Sequence, residues 1–438
     1  MSMGQQARDR ERAAIIGALG AGVVPSVGLQ HIQVGRRAEV EAMIADLRKI
    51  EDGGAAIRYI VGRFGSGKSF FLSLIQAVAL ERKLVIARAD ITTDRRLNGT
   101  GGTARAFYAE LMKSLATRTR PDGSAMGSIL ERWIVDVSEP VKAVGGSEDA
   151  VQARIKQELR PLEEMVGGYE FSAVVGSYYR GFATHDQDLQ ASAIRWLRGE
   201  YSSKTEARRD LGVRGIVDDD SIYDFLKLVA RFIRIAGYRG LLVCVDELVV
   251  LSHRLNNRVA RDRNYEALLR ILNDCLQGSA AGIGFVFAAT DECLSDTRRG
   301  LFSYEALATR LAPNRFASDR LADLSGPVIQ LPNLTPEDCF VLLHNIRRVF
   351  FRGDGEDRLL PEEGIVAYLE SCNRRVGAAY YLTPRETIKD FVGLLSVLEQ
   401  HPDVGWRAAL TGLAPSVTST EPPATPESDG DDLVSMKA

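Results

Sequence analysis

Apolar residues recur along the chain with two different periods, and each period predicts its own kind of element. Near the N-terminus Ala13, Ile15, Ile16 and Leu19 form one stripe, predicting a helix over residues 8–18 that Gly20, Gly22 and Pro25 end. Val40, Met43, Ile44 and Leu47 repeat the helical spacing over residues 37–50, and Gly53-Gly54 breaks it. The pattern then changes to short runs that are apolar on both faces. Residues 57–61 and 84–87 read as buried strands with a helix over 68–79 between them. Strand, turn, helix and strand in that order predict a parallel α/β sheet. Similar runs at 240–245 and 284–289, and a last one at 328–331, extend it.

Between the two α/β blocks, residues 118–225 are charged, amphipathic and mostly helical, with breaks at Gly145-Gly146 and Gly167-Gly168. From Thr335 the helical period returns, and Thr335-Pro336-Glu337-Asp338 suits a capped first turn. Residues 415–438, rich in Ser, Thr, Pro and acid, read as a disordered tail. The expected organisation is an N-terminal segment over 1–36, an α/β core over 37–334 with a helical insertion at 118–225, a helical segment over 335–412 and a tail over 413–438.

Composition narrows the function classes. With 438 residues, 45% apolar and 26% charged, two to three domains with a large core are expected. Lys+Arg 55 against Asp+Glu 58 leaves a net charge of −3, so any DNA contact has to come from a local patch. No apolar run reaches the roughly 18 residues that a membrane span needs. The first apolar stretch is interrupted by glycines and by Pro25, which argues against a signal peptide. Cys244, Cys275, Cys293, Cys339 and Cys372 form no C-x-x-C pair and read as small core hydrophobes in a reducing cytosol. The five histidines show no ligand spacing, so neither zinc nor iron is expected.

Chemistry concentrates at a few places. Gly62-Arg63-Phe64-Gly65-Ser66-Gly67-Lys68-Ser69 fits G-x-x-x-x-G-K-[ST] and lies between an apolar strand and a helix. Glycines there let backbone amides turn around phosphate oxygens at the positive end of the helix. Lys68 would reach the terminal phosphates of a nucleotide and the Ser69 hydroxyl would ligate Mg²⁺; a chance match in a glycine-rich turn is the competing reading. Asp246-Glu247 ends the next strand block, where carboxylates of open parallel sheets face the ligand crevice. Asp246 is the second Mg²⁺ candidate and Glu247 the candidate general base, against a plain loop cap. Thr290 ends the following strand and is either a sensor of the nucleotide or a helix N-cap. Arg298, Arg299, Arg310, Arg315 and Arg320 supply guanidiniums, of which Arg315 or Arg310 is the candidate finger toward a neighbour's nucleotide; a solvated or DNA-facing loop is the alternative. Arg385 follows Pro384 in the first turn of a predicted helix, where the dipole disfavours a cation unless it answers an anion.

In order, Val34–Val40 (VGRRAEV), the 62–69 loop, Val245–Glu247 (VDE), Ala288–Glu292 (AATDE) and Thr383–Glu386 (TPRE) resemble the AAA+ superclass, near its origin-recognition-like and STAND-like branches. That resemblance implies a P-loop NTPase core with a helical insertion and a C-terminal helical lid. Val34, Gly35 and Arg36 would lie near the adenine, and residues 62–69 with Phe70 would be Walker A. Asp246 and Glu247 would be Walker B, Thr290 sensor 1 and Arg385 the lid arginine. A narrower likeness rests on IIGALGAGVVP, HIQVGRRAEV, IVGRFGSGKSFFL, ARADITTDRRLNG, FYAELMKSLATR and LTPRE. Together these resemble the ATP-binding BrxC/BrxD-type family of BREX systems, in its short BrxD-like form, over about residues 10–400. It implies ATP and Mg²⁺ as cofactors, a place in bacterial phage defence, a cytoplasmic setting and no membrane. As partners it implies further copies of the chain or a helicase.

One departure is the long connection between Lys68 and Asp246, which a plain α/β unit does not need. The insertion is the place to expect a partner. Tyr178-Tyr179-Arg180 and Trp196-Leu197-Arg198 are candidates for base stacking, with helix packing the competing reading. Arg347-Arg348, Arg352 and Arg374-Arg375 are candidates for a DNA-facing stripe. Three functions fit: an ATP-hydrolysing switch, an ATP-dependent scaffold or DNA loader with little turnover, and a small-molecule kinase.

Overall fold

Strands β1 (Ala55–Val61), β2 (Val85–Asp90), β3 (Leu241–Asp246), β4 (Ile283–Ala289) and β5 (Val328–Gln330) pair as one parallel sheet in the order β2-β3-β4-β1-β5. The computed structural model describes residues 9–316, 323–352, 359–374 and 384–411. Every residue of β1 and β4 is buried, which explains why these strands read as unbroken apolar runs. Alternate residues serve opposite faces. Ile57, Tyr59, Val243, Val245, Phe285 and Phe287 pack on one side, while Ile60, Leu242, Cys244 and Val286 pack on the other. Helices α2 (Arg37–Glu51) and α3 (Lys68–Glu81) cover the second side through Met43, Leu47, Phe71 and Ile75.

The first side is covered by α4 (Thr103–Lys113), α10 (Ile222–Ile235) and α11 (Arg258–Gln277). Between α4 and α10 run α5 (Met126–Ala143), α6 (Glu148–Glu163), α7 (Gly168–Thr184), α8 (Gln187–Leu197) and α9 (Lys204–Leu211). This inserted bundle shares one continuous apolar cluster with the sheet: Trp133 and Phe171 meet Phe232 of α10, and Trp196 meets Phe225. Tyr178, Tyr179 and Trp196 are buried within it. Tyr178 donates to Glu131, Tyr179 to Glu148, and the Trp196 indole to the Gly215 carbonyl at 2.9 Å. Their rings are therefore core, and no face is left for a base.

After β4 come α12 (Asp291–Ser295) and α13 (Glu305–Leu311). A third apolar cluster joins the chain ends. Ile15 and Leu19 of α1 (Asp9–Gly20) pack with α14 (Pro336–Phe351), α15 (Glu362–Arg374) and α16 (Pro384–Gln400), while Trp406 of α17 (Trp406–Thr411) packs at its edge. Thr335 caps α14 reciprocally: its hydroxyl accepts from the Asp338 amide at 3.1 Å, and the Asp338 carboxylate accepts from the Thr335 amide at 3.2 Å.

Several expectations shift. The second strand runs to Asp90 rather than stopping at residue 87, because the charged Arg88 and Asp90 interrupt its apolar run. Arg347 is 1% exposed and donates to the Leu360 carbonyl at 2.7 Å, so it cannot belong to a DNA-facing stripe. Arg352 meets Asp9 at 3.1 Å and Arg374 meets Glu370 at 3.8 Å. Arg320, Arg375, Thr383 and the 413–438 tail lie outside the described residues. All five cysteine thiols are free, and burial pushes Cys244, Cys275 and Cys293 up to about 12. Among the described residues no helix is long and apolar enough to cross a membrane.

Among the described residues, Arg58 and Asp46 form a largely buried ion pair against the sheet. Arg58 of β1 donates to the Asp46 carboxylate on α2 and to the carbonyls of Leu324 and Gly326, fixing the approach to β5. Removing Asp46 takes away the carboxylate that the buried guanidinium bonds, leaving it two carbonyls and the more distant Asp323 charge, at a cost of about 3 kcal/mol. Asp46→Ala is therefore expected to lower the urea midpoint at unchanged slope, with Asp46→Asn losing less.

Candidate functional site

Strand order decides what meets at the carboxyl edge of the sheet. β1 feeds the 62–69 loop, β3 ends in Asp246, and β4, lying between them, ends next to Thr290. At this edge opens a cleft of about 500 Å³. Its polar end is lined by Gly65, Ser66, Gly67, Lys68, Ser69, Asp246, Glu247 and Thr290. Its apolar end is lined by Val23, Val24, Pro25, Ile32, Val34, Leu342, Ile346 and Ile388, together with the exposed Arg385.

The loop conformation requires its glycines. A Cβ on Gly62 would stand 2.6 Å from both the Leu331 carbonyl and the Ser66 hydroxyl. Gly67 caps α3 at φ 87°, in the left-handed region that side chains disfavour. The Lys68 ammonium donates to the carbonyls of Gly62 at 2.8 Å and Arg63 at 2.9 Å. Burial holds its pKa below the ordinary lysine value, against the opposing pull of Asp246, Asp291 and Glu247. Phe64 projects from the loop at 79% exposure, whereas Phe70, two residues into α3, packs on the C-terminal helices. Gly35, Gly62 and Arg63 support the loop region without lining the cleft.

The Ser69 hydroxyl donates to the Asp246 carboxylate at 3.3 Å. The other Asp246 oxygen accepts from the Glu247 amide at 2.7 Å, and Glu247 itself sits at φ 58°. A non-glycine residue held left-handed next to an acid is the kind of backbone strain that clusters at functional sites. The Thr290 hydroxyl accepts from the Cys293 amide at 3.2 Å, so this residue caps α12 while also lining the cleft.

Arg36 is placed differently from a simple base contact. It sits at φ 56° before α2 and donates to the Ser66 carbonyl at 2.6 Å and to the Pro332 carbonyl at 2.8 Å. It thus ties the loop to the segment leaving β5, and burial lowers its pKa. Arg315 and Arg310 do not line the cleft; Arg315 is exposed, and Arg310 donates to the Ala306 carbonyl at 2.9 Å. The amides of Arg298 and Arg299 are taken by the Asp296 carboxylate.

Two further charged residues carry no sequence signal. Asp90 pairs in register with Asp246, and burial, reinforced by the Asp246 charge, raises its pKa. Only the sheet order makes them neighbours. Arg254 lines the cleft from the turn that follows β3, with no motif to mark it.

A parallel α/β core whose glycine-rich loop closes one end of a cleft, with a strand-end acid beside it, is that of a P-loop-like nucleotide-binding protein. The chain belongs to the BREX system ATP-binding protein BrxC/D family, which it matches over residues 7–413. Comparison with curated proteins gives no match.

The Arg36 clamp generates a test. Arg36→Ala removes two hydrogen bonds to the loop surroundings and is expected to weaken ATP binding about tenfold, the scale of one charge-assisted bond. Titration calorimetry checks it; unchanged affinity would show that the loop holds its shape without the clamp.

Proposed function

We propose that the chain is an ATP-hydrolysing, AAA+-like switch acting in phage defence. One observation carries this reading: the loop amides, Lys68, Ser69 and the Asp246-Glu247 pair share the polar end of a single cleft. The donor set fits Mg²⁺, since one hydroxyl and one carboxylate leave room for the waters and phosphate oxygens that this ion prefers. Ser69 and Asp246 would hold it, and the ion would neutralise charge on the phosphates. Lys68 exchanges the carbonyls of Gly62 and Arg63 for phosphate oxygens. Glu247 accepts the proton of the attacking water, and Thr290 supplies a hydroxyl beside it.

The apolar end suits the base, and the helices from Thr335 onward act as a lid that brings Arg385 to the nucleotide. Arg315, exposed and away from its own cleft, would serve a neighbouring copy. The five free thiols favour a reducing cytoplasm. A helicase of the same system, DNA or further copies of the chain are the proposed partners. A scaffold with little turnover is the second reading, favoured by the walls of the cleft. They come from the N-terminal segment, the core and the C-terminal helices, so bound ATP would clamp all three.

Glu247→Gln is expected to bind ATP normally while phosphate release falls by about 10²–10⁴-fold, the usual contribution of a positioned base. Wild-type turnover in Glu247→Gln would remove Glu247 from the mechanism. Light scattering on this variant tests the neighbour contact: assembly is expected with ATP and is lost in Arg315→Ala. A monomer under both conditions contradicts it.

A further inference from the structure

We propose that Arg254 is a γ-phosphate-contacting residue that distinguishes ATP from ADP, an inference that rests on the nucleotide reading above. Arg254 lines the cleft from the turn that also presents Glu247, Leu248 and Val249. It is exposed and has no ion-pair or hydrogen-bond partner among the described residues. Of the other cations lining the phosphate end, Lys68 donates to the carbonyls of Gly62 and Arg63, and Arg36 donates through one terminal nitrogen to the Ser66 and Pro332 carbonyls while the other is unpartnered but buried. A triphosphate tail carries more negative charge than Lys68 alone offsets, and Arg254 is an exposed, cleft-lining guanidinium with no partner among the described residues. Arg385 comes from the opposite wall with Pro384 and Ile388.

The backbone around Arg254 is held as a surface arginine does not require. Val250–Arg254 forms a π-helical turn, a rare geometry that is frequent at functional sites. The Leu255 amide closes it on the Val250 carbonyl at 3.1 Å. Buried Arg261 donates to the Leu255 carbonyl at 3.1 Å. The Ser252 hydroxyl bonds to the Val249 carbonyl at 3.0 Å and to His253 Nδ1 at 2.7 Å. His253 Nε2 lies 3.5 Å from the Asp296 carboxylate. Val250, Leu251 and Ser252 are buried, so the turn has little freedom to rotate its one exposed cation away. The turn begins four residues after Asp246, and Arg254 lines the same cleft as Asp246 and Glu247, into which the phosphate tail would run.

The test compares a non-hydrolysable ATP analogue with ADP, each with Mg²⁺, by equilibrium binding to the full chain. Arg254→Ala is expected to weaken the analogue about tenfold or more and ADP by less than about twofold, with Arg254→Lys recovering part of the loss. A merely structural role would weaken both nucleotides alike, and that result overturns the proposal. So does an unchanged affinity for both. Failure of the unsubstituted protein to bind either nucleotide is distinct from these outcomes, and overturns the cleft reading together with this one.

Discussion

The Ser69 hydroxyl and the Asp246 carboxylate lie 3.3 Å apart although 177 positions separate them in sequence. Serine opens the helix after β1, the acid closes β3, and β4 runs between the two strands. The contact therefore exists only when three parallel strands hold their register, with Val61 opposite Ala289 and Val245 opposite Phe287. A slip of one residue would turn each strand's side chains to the wrong face. Chemistry at the cleft is thus a consequence of sheet packing, and damage to the core is expected to reach it.

The insertion makes that packing longer-ranged. Chain from α5 to α9 leaves the sheet after α4 and returns at α10, but its apolar residues join the cluster that buries β3 and β4. An appended module would have kept its own core. On the other side of the cleft, Phe70 carries the loop helix into contact with the C-terminal helices, and Ile15 and Leu19 bring the first helix into the same cluster. A ligand filling the cleft would touch residues of each of these bodies. That is the physical route by which occupancy of one site would couple the chain ends to the sheet, as the proposed switch requires.

Local patterns were legible because they depend on neighbours in sequence. The parallel core followed from runs apolar on both faces, and residues 62–69 from glycine spacing between a strand and a helix. The Thr335 cap needed only four consecutive residues. Thr290 leaves two readings open: its hydroxyl caps α12, and the residue also lines the cleft. What escaped depends on distant partners. Asp90 matters through strand register, Arg347 through burial beneath Leu360, and Arg36 through carbonyls at Ser66 and Pro332. The aromatic residues at 178, 179 and 196 were ambiguous because a ring that stacks and a ring that packs have the same sequence pattern.

The central claim is that the polar end of the cleft binds the phosphates of ATP. Titration calorimetry of the purified chain with ATP, in magnesium and then with the metal chelated, tests it most directly. Saturable heat at one nucleotide per chain, weakened by chelation and lost in Lys68→Ala, is the predicted result. Absence of heat, or the same affinity in Lys68→Ala, would contradict it.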